Sequence, residues 1–467
     1  MHRPLTAAIA AFALALAYFG WLHAADARLA DPDGYFHIRF ASLGPRAWSA
    51  RDFRWMPFGI FSNGRWVDHQ LLFHSLLWPF TLALPLLTAA HVSAAVLAAA
   101  AVGVWTLALA RAGVPNSIVW SVVLLASSRF FVDRMMMPRT QSLSVALFFL
   151  GVMFSFDPMR KMWKIGVLGF VFAWSYHVCV LLVPVLLIVG GTNRTLRPAI
   201  AALIGVSAGF LVHPQAPQTV IYFIEHAVLK VANTTGQAVG AEWQPVDPAT
   251  WIIHLAPILL LGLIASLRRP ARPAADTVAM GLVTLAWLIA SFFAVKWLEY
   301  AVPFAVFTTA MFWRDQRWSA WPTLLLAPQL MFNGAQVLAH LDATVPPVGR
   351  LAGVAGHLPA DDCRVFNADW SDFSELFFYA PQCSYTVGLD PHFLSEAEPR
   401  RAELVEDALA GRVVRVGDLA EHLFDSRWIV VTNTALLRRA ASDPRLVKVY
   451  EDDGGSLWRV ASPAAGN

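Results

Sequence analysis

Long apolar runs recur through roughly the first 340 residues, and no other feature constrains the fold as much. They cover about 5–22, 70–110, 116–128, 141–156, 165–191, 198–213, 251–267, 277–294, 300–313 and 319–337. Runs of this kind fit helices that cross a bilayer, whose hydrocarbon core takes about 20 apolar residues. Of the 467 residues, 57% are hydrophobic and only 14% charged, which is more apolar surface than a water-soluble core could bury. Nineteen Trp and 31 Phe suit interfacial and lipid-facing positions. The formal charge of +3 gives no footing for nucleic acid. The fold class this implies is mainly α, a polytopic transmembrane helical bundle with the lipid bilayer as its solvent.

Two of the runs need dividing. If 70–89 and 92–110 both cross, the basic cluster Arg160, Lys161, Lys164 falls outside, against the tendency of Lys and Arg to remain cytoplasmic. Suppose instead that 70–85 lies at the interface, 88–110 crosses, and the 165–191 run breaks near His177 into two short crossings. Arg111, Arg160–Lys164, Arg194 with Arg197, Arg268–Arg272 and Arg314–Arg317 are then all cytoplasmic. The count is about 11 spans. Met1–Leu22 reads as an uncleaved first span with Arg3 in the cytoplasm, in preference to a signal peptide.

External loops are then 23–69 and 214–250, with the turn around Lys296–Tyr300 and everything after about 340 on the same side. The second division adds 129–139 and His177. From 345 the composition turns soluble, with β-type runs RVFNA, SYTV, WIVVTN and LVKVY between helical stretches. Residues 1–340 thus read as a transmembrane domain and 345–467 as a small soluble α/β domain. Cys363 and Cys383 in the latter are either a disulfide, in an oxidising compartment, or two free buried thiols.

The loop after the first span runs Ala30-Asp31-Pro32-Asp33-Gly34-Tyr35-Phe36-His37-Ile38-Arg39. Two carboxylates one residue apart can hold a divalent cation by hard oxygen ligation, or can position and deprotonate an acceptor. The same residues also fit an Asx-type turn with Asp33 as the N-cap of a helix and His37 and Arg39 merely interfacial. The run resembles the first external loop of the catalytic subunits of oligosaccharyltransferases, within the GT-C superfamily of polyprenyl-phosphate-sugar-dependent glycosyltransferases. Asp31 and Asp33 match the acidic pair of that loop, Tyr35 and Phe36 its aromatics, and His37 and Arg39 its tail. The later stretch WMPFGIFSNGRWVDHQLLFHSLLWPF is similar to the turn and amphipathic helix that follow in the family. The signature WWDYG, associated with peptide recognition, is absent.

The resemblance implies a GT-C-like glycosyltransferase, hexosyl or pentosyl, in the bacterial inner membrane with its C-terminal domain periplasmic. It implies a polyprenyl-phosphate-linked sugar donor, inversion at the anomeric carbon, and an envelope acceptor that is a glycan, a lipid or a protein. Asp33 first and Asp31 second are implied as base or as ligands of a divalent cation, Mg or Mn. Glu225, beside His226, lies where oligosaccharyltransferases carry a second acidic residue, and is a further metal-ligand candidate; an amphipathic surface helix explains it as well.

Other candidates bind substrate. Asp68 and His69 either face the cavity or anchor at headgroup depth. Arg129, Arg134 and Arg139 face outward in the second division, where guanidinium groups suit phosphate. Arg139 is preferred because GT-C chains often place a basic residue near this position. His177 marks a functional cavity or a helix break. Lys296 and Glu299, three apart, either form a helical ion pair or place Lys296 on the donor phosphate. Asp369, Trp370 and Asp390 in the tail read first as turn and strand-end residues. The competing class is a transporter or flippase of a lipid-linked saccharide, but no internal symmetry of the kind transporters carry is visible. A scaffold in an envelope complex, the third class, would tolerate alanine at Asp31 and Asp33.

Overall fold

A computed structural model describes residues 2–62, 64–156, 162–225, 241–267, 274–314, 326–361 and 363–461. Arg160, Lys161, His226, Arg268–Arg272, Arg317 and the start of the 319–337 run lie outside the described residues. From the N-terminus the helices are α1 (His2–Ala25), α2 (Asp33–Ser42), α3 (Pro45–Trp48), α4 (Leu71–Ala83), α5 (Leu86–Arg111), α6 (Ser117–Ser127), α7 (Arg129–Met136) and α8 (Gln141–Ser155). They continue with α9 (Met162–Ser175), α10 (Leu182–Thr192), α11 (Arg197–Val212), α12 (Gln218–Tyr222), α13 (Pro248–Leu267), α14 (Ala275–Phe293), α15 (Leu298–Phe312) and α16 (Ala327–Thr344). After these come α17 (Ala352–Gly356), α18 (Phe373–Tyr379), α19 (His392–Ala397), α20 (Pro399–Leu409), α21 (Val416–Phe424) and α22 (Thr434–Ser442), interleaved with five strands. The chain forms two compact units: Met1–Ala30, His69–Ala83 and Thr88–Val345 in one, and Asp31–Asp68, Leu84–Leu87 and Pro346–Asn467 in the other.

The first unit is a helical bundle. Among the described residues, three helices are long and apolar enough to cross a membrane by length and composition: Pro4–Ala25, Leu86–Arg111 and Ala275–Phe293. The 13 residues of α4 span about 20 Å, short of a hydrocarbon core of about 30 Å. The 165–191 run does break where the sequence suggested. Tyr176 is extended (φ −169°, ψ 138°), and a 3₁₀ turn at His177–Leu181 leads into α10.

Packing sets the direction of each helix. Helices α9 and α11 meet through small residues: a Cβ on Gly205 would lie 1.9 Å from the Gly166 carbonyl oxygen, and one on Gly169 would lie 2.8 Å from that of Ala202. Further along, Trp174 Nε1 donates to the Gly209 carbonyl at 2.9 Å. Contacts that advance together on both helices make α9 and α11 parallel, so α10 runs in the opposite sense and Lys164 and Arg197 share one end. Close backbone approach through glycine is how helices gain dispersion contact in lipid, where apolar side chains alone give no preference. The same logic sets α1 antiparallel to α5, since Phe12 faces Gly103 while His23 faces His91. Arg314 closes the Arg111 end of α5, donating to the Ala112 carbonyl at 3.1 Å and pairing with Asp276 at 2.9 Å. At the opposite end of α14, α15 begins, and its Tyr300 hydroxyl lies 2.8 Å from Ser144 at the start of α8. Phe148 on α8 stacks edge-on against Phe172 near the end of α9. The described basic residues Lys164, Arg197, Arg111 and Arg314 therefore collect at one end of the bundle, away from Lys296.

The second unit holds a mixed sheet of order β2-β1-β3-β5-β4, formed by β1 (Arg364–Asn367), β2 (Ser384–Tyr385), β3 (Trp428–Val431), β4 (Leu446–Asp452) and β5 (Gly455–Val460). β1 pairs parallel with β2 and β3, and β5 antiparallel with β3 and β4. The four strand runs read from sequence are all strands. The fifth, β5, was missed. Cys363 and Cys383 form a disulfide that ties β1 to β2.

Residues 31–68 pack on this sheet unit through aromatics: Phe36, Phe40, Phe53 and Trp55 nest against Phe373 and Phe377. Each fully buried ring contributes about 1.5–3 kcal/mol. Backbone bonds fix the register, with Tyr385 N–H donating to Trp55 O at 2.8 Å and Ile60 N–H to Phe393 O at 2.9 Å. Buried Asp372 and Glu375 are held by Arg350 at 2.6 and 3.4 Å. Burial pushes both carboxyls up, against the hydrogen bonds they accept from Thr432 and the Leu351 amide.

Candidate functional site

Five charged side chains converge inside the bundle at the end opposite its basic rim. Ser128 caps α7 by accepting from Phe131 N–H at 3.4 Å, and Pro138 bars the helix from continuing, so Met137 turns extended (ψ 130°). Arg134 thereby sits on the last turn of α7 and Arg139 on the segment after it. The α14–α15 connection turns at extended Ala294 and a 3₁₀ turn, Val295–Trp297, which points Lys296 inward at 1% exposure. Glu299 follows on the first turn of α15 and has no solvent exposure. Glu242 comes from a three-residue turn, Ala241–Trp243.

Arg134 is the hub. Its Nε and Nη2 both reach Glu299 Oε2 at 2.9 Å, and Nη2 also lies 3.0 Å from Glu242 Oε2. Arg139 approaches the same Glu242 oxygen at 3.5 Å, and Lys296 Nζ its Oε1 at 3.9 Å. Lys296 Nζ also lies 3.6 Å above the Trp243 ring and 5.3 Å from that of Trp297. Burial pushes Glu242 up, but Arg139, Lys296 and Arg134 together outweigh it and hold the carboxyl below the ordinary range. Burial pushes the Lys296 ammonium down to about 8, opposed by Glu242 and Glu299. Three cations gathered in a low-dielectric setting are a place where an anion is strongly held, as the Glu242 carboxylate is.

Arg139, Lys296 and Glu299, chosen from sequence, thus converge. Lys296 and Glu299 take different partners and do not pair with each other along the helix. A second group lies in the same unit. His69 stacks on Tyr222 at 4.9 Å and its ring is 5.5 Å from His177. His177 packs at 4.4 Å on Tyr176, which is within coulombic reach of Arg134, Arg139, Glu242 and Glu299. Glu225 is half-buried just past α12, and Glu242 of the same loop meets the cations.

The acidic loop belongs to the other unit. Asp31, buried, forms the Asx turn, its Oδ1 accepting from Asp33 N–H at 3.2 Å; Asp33 is half-buried on the first turn of α2, one residue inside the cap at Pro32. Arg39 donates from Nε to the Phe378 carbonyl at 2.7 Å and lies over that ring, a structural latch on α18. His37 is buried beside Phe36, and Asp68 is buried at the end of the loop segment. Asp369 and Asp390 fill the turn roles expected of them, accepting from Ser371 N–H and His392 N–H.

Among the described residues no group of three or more His, Cys, Asp or Glu could hold a metal ion. Asp31 and Asp33 bring two carboxylates, of which Asp31 Oδ1 accepts from the Asp33 N–H, so a divalent cation held there takes most of its oxygens from elsewhere.

Glu242 escaped the sequence reading, and Arg134, named there with Arg129 and Arg139, was passed over for Arg139. Arg134 was visible as a lone cation inside the apolar stretch FFVDRMMM; Glu242 had no signal beyond its neighbour Trp243.

No protein-family model matches the chain, and no curated protein does. Solved structures do. The chain is similar to the arabinofuranosyltransferase AftD from mycobacteria, determined by single-particle cryo-EM (TM-score 0.59, 15% identity, covering 98% of this chain and 40% of that one). It is also similar to the archaeal oligosaccharyltransferase AglB from Archaeoglobus fulgidus in complex with an inhibitory peptide and a dolichol-phosphate (TM-score 0.59, 10% identity, covering 98% and 75%). Both are of the GT-C superfamily, and the likeness is one of fold: a mainly helical GT-C-type membrane architecture with a small sheet. The chain spans less than half the length of AftD.

Proposed function

We propose that the chain is an integral membrane glycosyltransferase that moves a sugar from a polyprenyl-phosphate-linked donor to an envelope acceptor, with inversion, on the outer face of the membrane. The observation that carries this reading is the convergence of Arg134, Arg139 and Lys296 on one carboxylate inside the bundle. Gathering Lys164, Arg197, Arg111 and Arg314 at the other end supports a cytoplasmic rim there, hence an outer location for the cluster, a periplasmic 345–467 and about 11 crossings. A disulfide in the soluble unit agrees with an oxidising compartment.

In this reaction the acceptor hydroxyl attacks the anomeric carbon, its proton passes to Asp33, and the bond from that carbon to the donor phosphate oxygen breaks. The electron pair leaves on polyprenyl phosphate. Arg134, Arg139 and Lys296 meet the charge that develops there, already cationic and already oriented, so little reorganisation is needed at the moment of reaction. Asp31 holds the backbone at Asp33 and so positions the base. His69, His177 and Tyr222 offer aromatic faces and ring nitrogens to a sugar; Asp68 and His37 are further substrate-binding candidates, in the other unit. Asp31 and Asp33 would hold a divalent cation, which would supply charge neutralisation.

The test is purified protein incubated with radiolabelled polyprenyl-phosphate sugars and a mixed envelope-lipid and glycan acceptor fraction, with and without chelator. Label is expected to leave the lipid for the acceptor. Translocation of intact donor across proteoliposomes without transfer would establish the transporter class instead.

A further inference from the structure

We propose that Glu242 is an internal competitor for the donor phosphate: its carboxylate and the phosphate take the same three cations in turn. The inference rests on the donor reading above. Both Glu242 oxygens are in use, Oε2 on Arg134 and Arg139 and Oε1 on Lys296, and these contacts place a single carboxylate at the focus of every cation in the cluster. The two free oxygens of the donor phosphodiester, placed where the two carboxylate oxygens lie, meet the same donors.

The two acidic residues of the cluster are not equivalent. Glu299 is locked into the first turn of α15, wholly buried, and reaches Arg134 alone among the cations at ion-pair distance. It is the fixed counterion. Glu242 stands on a three-residue turn and keeps 23% of its side chain exposed, so it is the member that can swing out. That turn is tied to the cluster by the Val295 N–H donating to Gln244 O at 2.9 Å. Trp243, the next residue, covers the Lys296 ammonium at 3.6 Å. Withdrawal of Glu242 therefore moves the aromatic lid off Lys296 in the same motion.

Because Glu242 already occupies the three cations, an arriving phosphate must exchange with it. A polyprenyl phosphosugar is a phosphodiester with one negative charge, so replacing Glu242 leaves the cluster's net charge unchanged. The product is a monoester carrying up to two negative charges near neutral pH, and it binds the three cations more strongly than the donor did. Return of the Glu242 carboxylate competes that product off, so the residue works on both binding and release.

The experiment uses the full chain in nanodiscs and undecaprenyl phosphate as the probe. Binding is titrated for the wild type and for Glu242→Gln, which keeps shape and loses the charge. Removing the competitor is expected to tighten binding on the order of ten- to a hundredfold, the range of one charge-assisted hydrogen-bonded contact. In transfer kinetics the same variant lowers both the donor KM and kcat, because product leaves slowly. Hydrogen exchange at the Val295 amide is expected to speed up when the wild type binds the probe. Should Glu242→Gln fail to fold, Glu242→Asp, whose shorter carboxylate holds the cations less well, is expected to show the same direction with a smaller gain. Wild-type binding with no gain, or a loss, in a folded variant overturns the competition and leaves the donor reading standing. No binding by wild type or variant overturns both.

Discussion

Replacing Arg134 by Met strands a carboxylate inside the bundle. Glu299 has no solvent exposure, and Arg134 is the cation that bonds it, through Nε and Nη2 at 2.9 Å. Removing one partner of a buried pair costs about 3–5 kcal/mol, mainly because the survivor is left uncompensated. Arg134→Met is therefore expected to lower stability by that amount in equilibrium unfolding from mixed micelles. The double variant Arg134→Met/Glu299→Gln removes both charges and is expected to recover most of it, giving a coupling energy of about 2 kcal/mol or more in a double-mutant cycle. A loss under about 1 kcal/mol for the single variant, or a double variant no better than the single, would refute the view that this pair is the fixed frame of the cluster.

Lys296 gives a pH signature with two opposite slopes. Its ammonium is held down at about 8, so donor-phosphate binding is expected to be full below that pH and to fall as pH rises through it; between about 8 and the free value of 10.5 the unfolded chain keeps a proton the native state has released, so the Lys296 contribution to stability rises. Binding titrations and unfolding at pH 7 and 9 check both, and parallel slopes would contradict the assignment. At the α9–α11 contact, Gly205→Ala drives a Cβ onto the Gly166 carbonyl and is expected to cost about 1–3 kcal/mol or more, whereas Gly20→Ala, with nothing within 4 Å, is expected to stabilise by about 0.5–1 kcal/mol. Thermal unfolding of the two variants separates them. Cys363→Ser opens a cross-link between residues 20 apart and is expected to cost about 3 kcal/mol; in denatured wild type, maleimide should label Cys179 and neither of the other two.

The features legible in the sequence were those carried by local chemistry. The apolar runs marked the helices, the ionisable His177 marked the break after α9, and β-branched and aromatic runs marked β1 to β4. β5 was within reach as well: Asp453-Gly454 sits in the EDDGG stretch between LVKVY and SLWRV, and Asp452 closes that turn by accepting from Gly454 and Gly455 N–H. Arg139, Lys296 and Glu299 stood out because a charge beside an apolar span needs a reason. Glu242 did not, since in sequence it is one acid in a polar loop, and only the tertiary fold brings three cations to it. The packing of Trp55 against Phe377 and of Arg39 on Phe378 joins residues more than 300 positions apart, which no periodicity encodes.

The central claim is transfer from a lipid phosphate with Asp33 as base. It is tested most directly by steady-state transfer kinetics of Asp33→Ala in membranes, scored against polyprenyl-phosphate-sugar binding on the same preparation. The account expects transfer to be abolished while donor binding and membrane expression hold. Full transfer by Asp33→Ala would contradict it.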